Sequence, residues 1–326
     1  MILAAILALF SSFAWAQNSI VYSLAGNRVG SKTVVNIRLW IAIPFSIILN
    51  LIFLGKIFPN KHQLDFYIFS ILSGIFGFFI ADMLIFESFV LIGPRNTLIT
   101  LMLTPVFNII AGLVIFHDNL NIIQFIGSFV VILGLIGTIY FDNSEIDHYK
   151  NKFGNKAKYK INNDKNETNL FKKNNYKKKI KGYFFAILGA LIQSLGVVFA
   201  KYSLKEDINP VETNFFRLLG GFIGINLFSF FKGELKNDFL KMKDLKSLFY
   251  ISFGALVGPV LGVSATMYAI KVISISLTSI LNNLAPIIII PLEYLIFKKR
   301  TPIVVLIFVI LVISGVILIF VWFFLI

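Results

Sequence analysis

The 326-residue chain has no cysteine and only three histidines, His62, His117 and His148. Disulfides and thiolate metal sites are excluded, and imidazoles this scattered argue against a metal cluster. Charge is scarce too: 14% of residues are Asp, Glu, Lys or Arg, with 16 acidic against 30 basic. No G-x-x-x-x-G-K-[ST] loop occurs, so the chain by itself carries no phosphate cradle for ATP. Neither a nucleophile–base pair nor a metal set is evident, which removes the basis for a membrane-embedded transferase or protease. The reading is of a non-enzyme without cofactor or metal.

What the chain has in abundance is apolar surface. It is 57% hydrophobic with a mean hydropathy of +0.84, far above the roughly 45–50% apolar content of soluble domains. Successive apolar runs of about 20 residues match a hydrocarbon core about 30 Å thick at 1.5 Å per helical residue. The runs predict ten spans: 2–24, 34–54, 66–92, 97–116, 122–141, 183–203, 213–231, 248–272, 277–297 and 303–325. Lipid offers no partners to backbone N–H and C=O groups, and the runs lack the alternation of barrel strands. The expected fold is an all-α integral membrane protein.

The net charge of +14 gathers between the runs rather than on a folded basic face, which argues against nucleic acid. Residues 142–182 hold twelve lysines and five acidic groups, with Lys172-Lys173 and Lys177-Lys178-Lys179 among them. This segment reads as a basic, disordered linker between two units, 1–141 and 183–326. The odd-numbered loops carry most of the Lys and Arg, so the positive-inside rule sets them in the cytoplasm and both termini outside. Ala14-Trp15-Ala16 has the form of a signal-peptidase site, but no basic region precedes it and the apolar run continues past it. The first run is therefore taken as a span.

Shifted by 181 residues, the chain overlays itself: Leu103-Thr104-Pro105 falls on Leu284-Ala285-Pro286, Gly134 on Gly315, and Ala5-Ile6-Leu7 on Ala186-Ile187-Leu188. A shift of 179 sets Arg38-Leu39 on Arg217-Leu218. Five spans per half is an odd number, so the second half must enter the membrane from the opposite side, an inverted repeat of the kind that suits alternating access.

Carboxylates inside a membrane are costly and are functional candidates by default. Asp82 and Glu87 in the third span and Glu293 in the ninth are candidates for proton coupling, Glu87 foremost. Ser11, Trp15, Asn18 and Tyr22 recur at steps of four, three and four and share one face of the first helix. Thr97, Thr100, Thr104 and Asn108 do the same in the fourth, and Thr278, Asn282 and Glu293 fall near one face in the ninth. Gly254, Gly258 and Gly262 form a small-residue ridge for close helix contact, with Pro259 inside it. Arg38 and Arg217 are read as lying near helix ends, snorkelling to headgroups or capping the neighbouring half.

With Trp15 in the first helix, Arg38 and Arg217 opening the second helix of each half, and Pro105 and Pro286 in the fourth, the sequence resembles the drug/metabolite transporter superfamily, in particular its ten-helix members with two EamA-type repeats. It departs at the end of each fourth helix, where Gly-Glu-Arg is common and this chain has His117-Asp118-Asn119-Leu120 and Lys298-Lys299-Arg300-Thr301. The family's termini are usually cytoplasmic, opposite to the charge count. The resemblance implies a secondary transporter for a small organic metabolite, an amino acid or drug-like solute, in a bacterial cytoplasmic membrane, as a monomer or homodimer. It also implies a central cavity between helices one, three, four, six, eight and nine, with Trp15, Asn18, Glu87, Gln193, Tyr268, Asn282 and Asn283 as substrate-binding candidates. A scaffold subunit and a lipid-handling protein remain the alternatives.

Overall fold

A computed structural model describes residues 1–57, 62–117, 122–141, 165–205, 207–282, 284–297 and 302–324. All the described regular structure is helical. Gly30, at φ 94, joins α1 (Ile2–Val29) to α2 (Ser31–Leu54). α3 (Leu64–Gly74) passes through a π-helical stretch, Ile75–Ala81, into α4 (Asp82–Leu101), followed by α5 (Leu103–Ile115) and α6 (Ile122–Phe141). Then come α7 (Lys165–Ser203), α8 (Pro210–Phe231), the short α9 (Leu235–Lys241) and α10 (Leu245–Ala255). A second π-helical stretch, Leu256–Gly262, leads into α11 (Val263–Val272), then α12 (Ile275–Asn282), α13 (Ala285–Phe297) and α14 (Ile303–Phe324).

Among the described residues, six segments are long and apolar enough to cross a membrane: Ile2–Val29, Ser31–Leu54, Leu64–Ile115, Lys177–Ser203, Pro210–Phe231 and Leu245–Val272. The third has 52 residues, about 78 Å of helix at 1.5 Å per residue, too long for one crossing. It is broken where Gly93 takes φ 82 and ψ 161 ahead of Pro94, a backbone turn that a side-chain-bearing residue adopts only under strain. Large apolar side chains such as Phe231, Leu245 and Ile303 lie more than three-quarters exposed, the surface that lipid covers. The chain is an integral, multi-pass membrane protein.

Three features depart from the sequence reading. First, α7 starts at Lys165, well ahead of the expected boundary at Tyr183, so 165–182 of the expected linker is helical. Lysine is a good helix former, and extending an existing helix avoids the cost of nucleation. The remainder of that segment, 142–164, lies outside the described residues. Second, the expected fourth span is interrupted at Met102. Pro105 supplies no N–H to the carbonyl four residues back and its ring crowds that carbonyl, which belongs to Leu101. Third, the π-helical stretches were not foreseen, and they sit 181 residues apart, the offset of the sequence repeat.

Glycines set how closely the helices approach. On α7, Gly182, Gly189 and Gly196 fall seven apart, facing Ile92, Ile85 and the Gly77 backbone in turn, so α7 lies tight along α4 and the first π stretch. The ridge Gly254, Gly258 and Gly262 receives Tyr22, Asn18 and Ala14 of α1. Thus the polar stripe of α1 and the small-residue ridge are two sides of one contact. Gly74 and Gly220 let α3 and α8 cross backbone to backbone, Gly74 against the Arg217 carbonyl and Gly220 against that of Ile71. α6 and α14 make most of their contacts with each other, beside the central bundle.

The α3–α8 crossing supplies a test. A methyl at Gly74 overlaps a backbone carbonyl, which has no rotamer to retreat into, so Gly74→Ala is expected to lower stability by about 1–3 kcal/mol or more. Gly77→Ala, whose methyl meets Arg217 Nη2 at an ordinary 3.5 Å, is expected to fall within about 1 kcal/mol of the parent. Thermal unfolding of both variants in detergent checks the contrast.

Candidate functional site

α8 begins at Pro210, preceded by Asn209, whose side chain accepts from the Val211 N–H at 3.0 Å. This cap and a proline at the first helical position fix the start of the helix. Arg217 is consequently its eighth residue, as Arg38 is the eighth of α2. Both were expected near helix ends, reaching headgroups or capping the neighbouring half. Instead Arg38 is 2% and Arg217 5% exposed, because each helix begins about a turn before its apolar run and carries its arginine inward. Charge there must be satisfied by protein.

Arg38 is satisfied by Asp82 of α4. Its Nη2 donates to Asp82 Oδ2 and, at 3.4 Å, to the Phe78 carbonyl. Its guanidinium carbon lies 4.8 Å from the Phe86 ring centre, 5.6 Å from Phe78 and 5.7 Å from Tyr22, an aromatic cage that favours a cation by its ring quadrupoles. Phe78 is shared: Arg217 approaches the same ring at 5.3 Å. Several polar atoms around this centre are buried without partners, among them Asp82 Oδ1, Arg38 Nε, Arg217 Nε, Thr104 Oγ1 and Asn282 Oδ1.

Of these, Asp82, Arg217, Thr104 and Asn282 line a cavity of about 80 Å³, room for on the order of five waters at 10–15 Å³ of probe volume each. Its wall includes Trp15 from α1, Phe78 and Asp82 around the first π stretch, Thr104 and Asn108 from α5, and Gln193 from α7. From the second half come Arg217 of α8, Val263, Thr266 and Met267 of α11, and Thr278, Ser279 and Asn282 of α12. Hydrogen bonds stiffen it: Asn108 accepts from Ser194 at 2.6 Å and donates to Ser279 at 2.6 Å, while Asn282 donates to Thr266 at 2.9 Å. Both helix breaks open here, since Leu101 lies before the one at Met102 and Asn282, Ala285 and Pro286 flank the other.

Of the seven substrate-binding candidates, Trp15, Gln193 and Asn282 come together on this wall. Asn18 packs against Gly258 instead. Tyr268 is 36% exposed on α11, one residue and about 100° of helix away from the cavity-lining Met267. Asn283 lies outside the described residues. Among the coupling candidates, Asp82 reaches the cavity, whereas Glu87 accepts from Ser31 Oγ at 2.5 Å at the α1–α2 corner. Nothing is described of the Glu293 side chain. Arg217, Met267 and Thr266 were not singled out as ligands, and only the repeat match of Arg38 with Arg217 signalled one of them. Among the described residues, no group of three His, Cys, Asp or Glu is placed to hold a metal.

Polar contacts also tie the halves together beyond the cavity. At the α1–α2 corner, Arg28 pairs with Asp244 at 2.9 Å, Lys32 with Glu234 at 2.6 Å and with Asp238 at 3.1 Å, and Thr33 donates to Asp238 at 2.7 Å. The hydrogen bond from Arg28 holds the Asp244 carboxyl down at about 2. Burial pushes the Asp238 carboxyl up, but hydrogen bonds from Asn36, Thr33 and Lys32 outweigh it and leave the group below the usual range. Past the other end of α2, Lys205 pairs with Asp65 at 2.5 Å and His62 with Glu212 at 2.9 Å.

The sequence model of the EamA-like transporter family matches residues 2–140 and 180–321. The chain belongs to the EamA-like transporter family. Members of this family are transporters, not enzymes. No curated protein matches the chain in sequence. Among solved structures, one described only as a crystal structure of a protein aligns with a TM-score of 0.66 at 14% identity, over 97% of this chain and 94% of that one, a likeness of fold.

The buried pair makes a direct prediction. Removing one partner leaves an uncompensated charge, so Arg38→Gln or Asp82→Asn alone is expected to cost about 3–5 kcal/mol, while Arg38→Met with Asp82→Leu costs less than the sum of the two. A double-mutant cycle measured by unfolding in mixed micelles reads the coupling.

Proposed function

We propose that this EamA-type chain is a secondary transporter that moves a small organic solute through the cavity between two inverted five-helix halves. The observation that carries the reading is the cavity itself, a space between the two halves into whose mixed wall Asp82, Arg217 and Thr104 bring buried polar atoms that lack partners. A scaffold subunit would fill its centre with apolar side chains. A cavity that admits only a few waters is too tight for most metabolites, so the conformation described corresponds to a nearly closed intermediate.

The ion pairs beyond the cavity support the inverted arrangement. Thr33, opening α2, meets Asp238 beyond the end of α8, whereas His62, beyond the end of α2, meets Glu212 at the start of α8. The equivalent helices of the two halves therefore run in opposite directions. Asp65 and Asp244, each at the start of the third helix of its half, reach across to Lys205 and Arg28 near the ends of the other half's first helix. These exposed pairs are screened by water and salt, which makes them cheap to open. Rocking that breaks one set while keeping the other exposes the cavity to one side at a time, across a membrane we take to be the bacterial cytoplasmic one.

Coupling to protons would run through Asp82, which joins the cavity wall to Arg38. Glu87 faces the α1–α2 corner and is the weaker candidate. Uptake of a mixed metabolite panel into proteoliposomes under an imposed pH gradient tests this. The expected result is gradient-driven flux that falls at least tenfold in Asp82→Asn and stays within about twofold in Glu87→Gln, a contrast of at least ~1 kcal/mol. Equal flux in the parent and Asp82→Asn would remove Asp82 from the coupling.

A further inference from the structure

The buried charges around the cavity do not balance: Asp82 and Arg217 stand on its wall, and Arg38, bonded to Asp82, stands off it. Arg38 and Arg217 occupy equivalent places in α2 and α8, yet a single carboxylate, Asp82, faces them. The repeat offset of 181 residues sets Val263 where its twin would stand, and Val263 lines the same cavity. Asp82 is bonded to Arg38. Arg217 is left with a donation from Nη1 to the Met267 sulfur at 2.9 Å and the face of Phe78. Its Nε is buried with no hydrogen-bond partner, and among the described residues no carboxylate lies within the 4.0 Å of an ion pair.

A guanidinium has five N–H donors in a rigid fork that fits a carboxylate with two parallel bonds. A thioether is a weak acceptor and a ring face satisfies no N–H in the fork plane. Inside a membrane such a cation needs a bonded counter-ion, but Arg217 has only the field of Asp82, which is already bonded to Arg38, and the cavity edged by Arg217, Thr104 and Asn282 is where a second carboxylate enters.

We infer that the cavity takes a small organic monoanion whose carboxylate is received by Arg217. The surplus is one positive charge, which matches a monocarboxylate better than a dianion such as phosphate. Trp15, Leu98, Leu101 and Val197 give the rest of the wall an apolar surface for the hydrocarbon body. The cavity volume confines that body to a few carbons unless the halves separate. This inference rests on the transporter reading and names its substrate class.

The test compares three probes of one shape and different charge, butyrate, butyramide and butylamine, titrated calorimetrically into the purified full-length protein. The parent is expected to bind butyrate at least tenfold tighter than butyramide and to bind butylamine weakest. Arg217→Gln is expected to erase that order, and Arg217→Lys to keep it at reduced affinity, since lysine retains the charge but not the fork. The order in the parent, read before any substitution, decides the substrate class even where the glutamine variant fails to fold. Equal binding of butyrate and butyramide, no binding of butyrate, or an unchanged order in Arg217→Gln would overturn the inference. Because binding is read without flux, butyrate binding with no transport would count against the transporter reading alone, and transport of neutral solutes without butyrate preference against this inference alone.

Discussion

Arg38 and Asp82 meet where α2, α4 and the first π-helical stretch leave no room for bulk water, and the centre of the molecule is organised around keeping them together. Either charge alone would be prohibitive at that depth. Together they need a third layer, supplied by the rings of Tyr22, Phe78 and Phe86. Tyr22 in turn stacks on Phe86 at 4.8 Å and lies against Gly254, so the ridge on α10 and its continuation, the stripe on α1 and the pair on α2 and α4 form one continuous packing unit. Local glycine choices are therefore tied to the electrostatics of the cavity.

The repeat supplies the frame and its imperfections supply the chemistry. π-helical stretches recur at the repeat offset, as do proline-linked interruptions in the helices that carry Pro105 and Pro286. Interruptions of this kind expose backbone carbonyls and N–H groups where they line a cavity rather than lipid. Arginine is kept in both halves at equivalent helix positions. Its carboxylate partner is kept in one half only, so the cavity sits beside two buried arginines and a single buried carboxylate that faces them.

Much of this was legible in the chain. Apolar runs marked the helices, and the overlay of Ala5-Ile6-Leu7 on Ala186-Ile187-Leu188 marked the two stretches that the family model matches. What stayed illegible was depth and facing. Asp82 and Glu87 are five residues apart, about 140° around a helix, so only one of them was free to face the cavity, and sequence did not say which. Arg38 and Arg217 were misjudged because apolar runs report where side chains turn apolar, not where the backbone begins to coil; Asn209 and Pro210 were the local signal for an earlier start. Asn18 fell on the right stripe, but the stripe was two contacts wide: Trp15 lines the cavity and Asn18 meets the glycine ridge.

The central claim, that water and solute reach a cavity between the halves from one side at a time, is open to a clean chemical test because the chain has no native cysteine. Thr104, whose hydroxyl has no partner in the wall, is replaced by cysteine, and a small membrane-impermeant thiol reagent is applied to sealed vesicles of each orientation. The account predicts labelling from either side, at rates that shift in opposite directions when the Arg28–Asp244 and Lys205–Asp65 pairs are removed in turn. A Cys at position 104 that stays unreactive from both sides, in the parent background and with either pair removed, would contradict it.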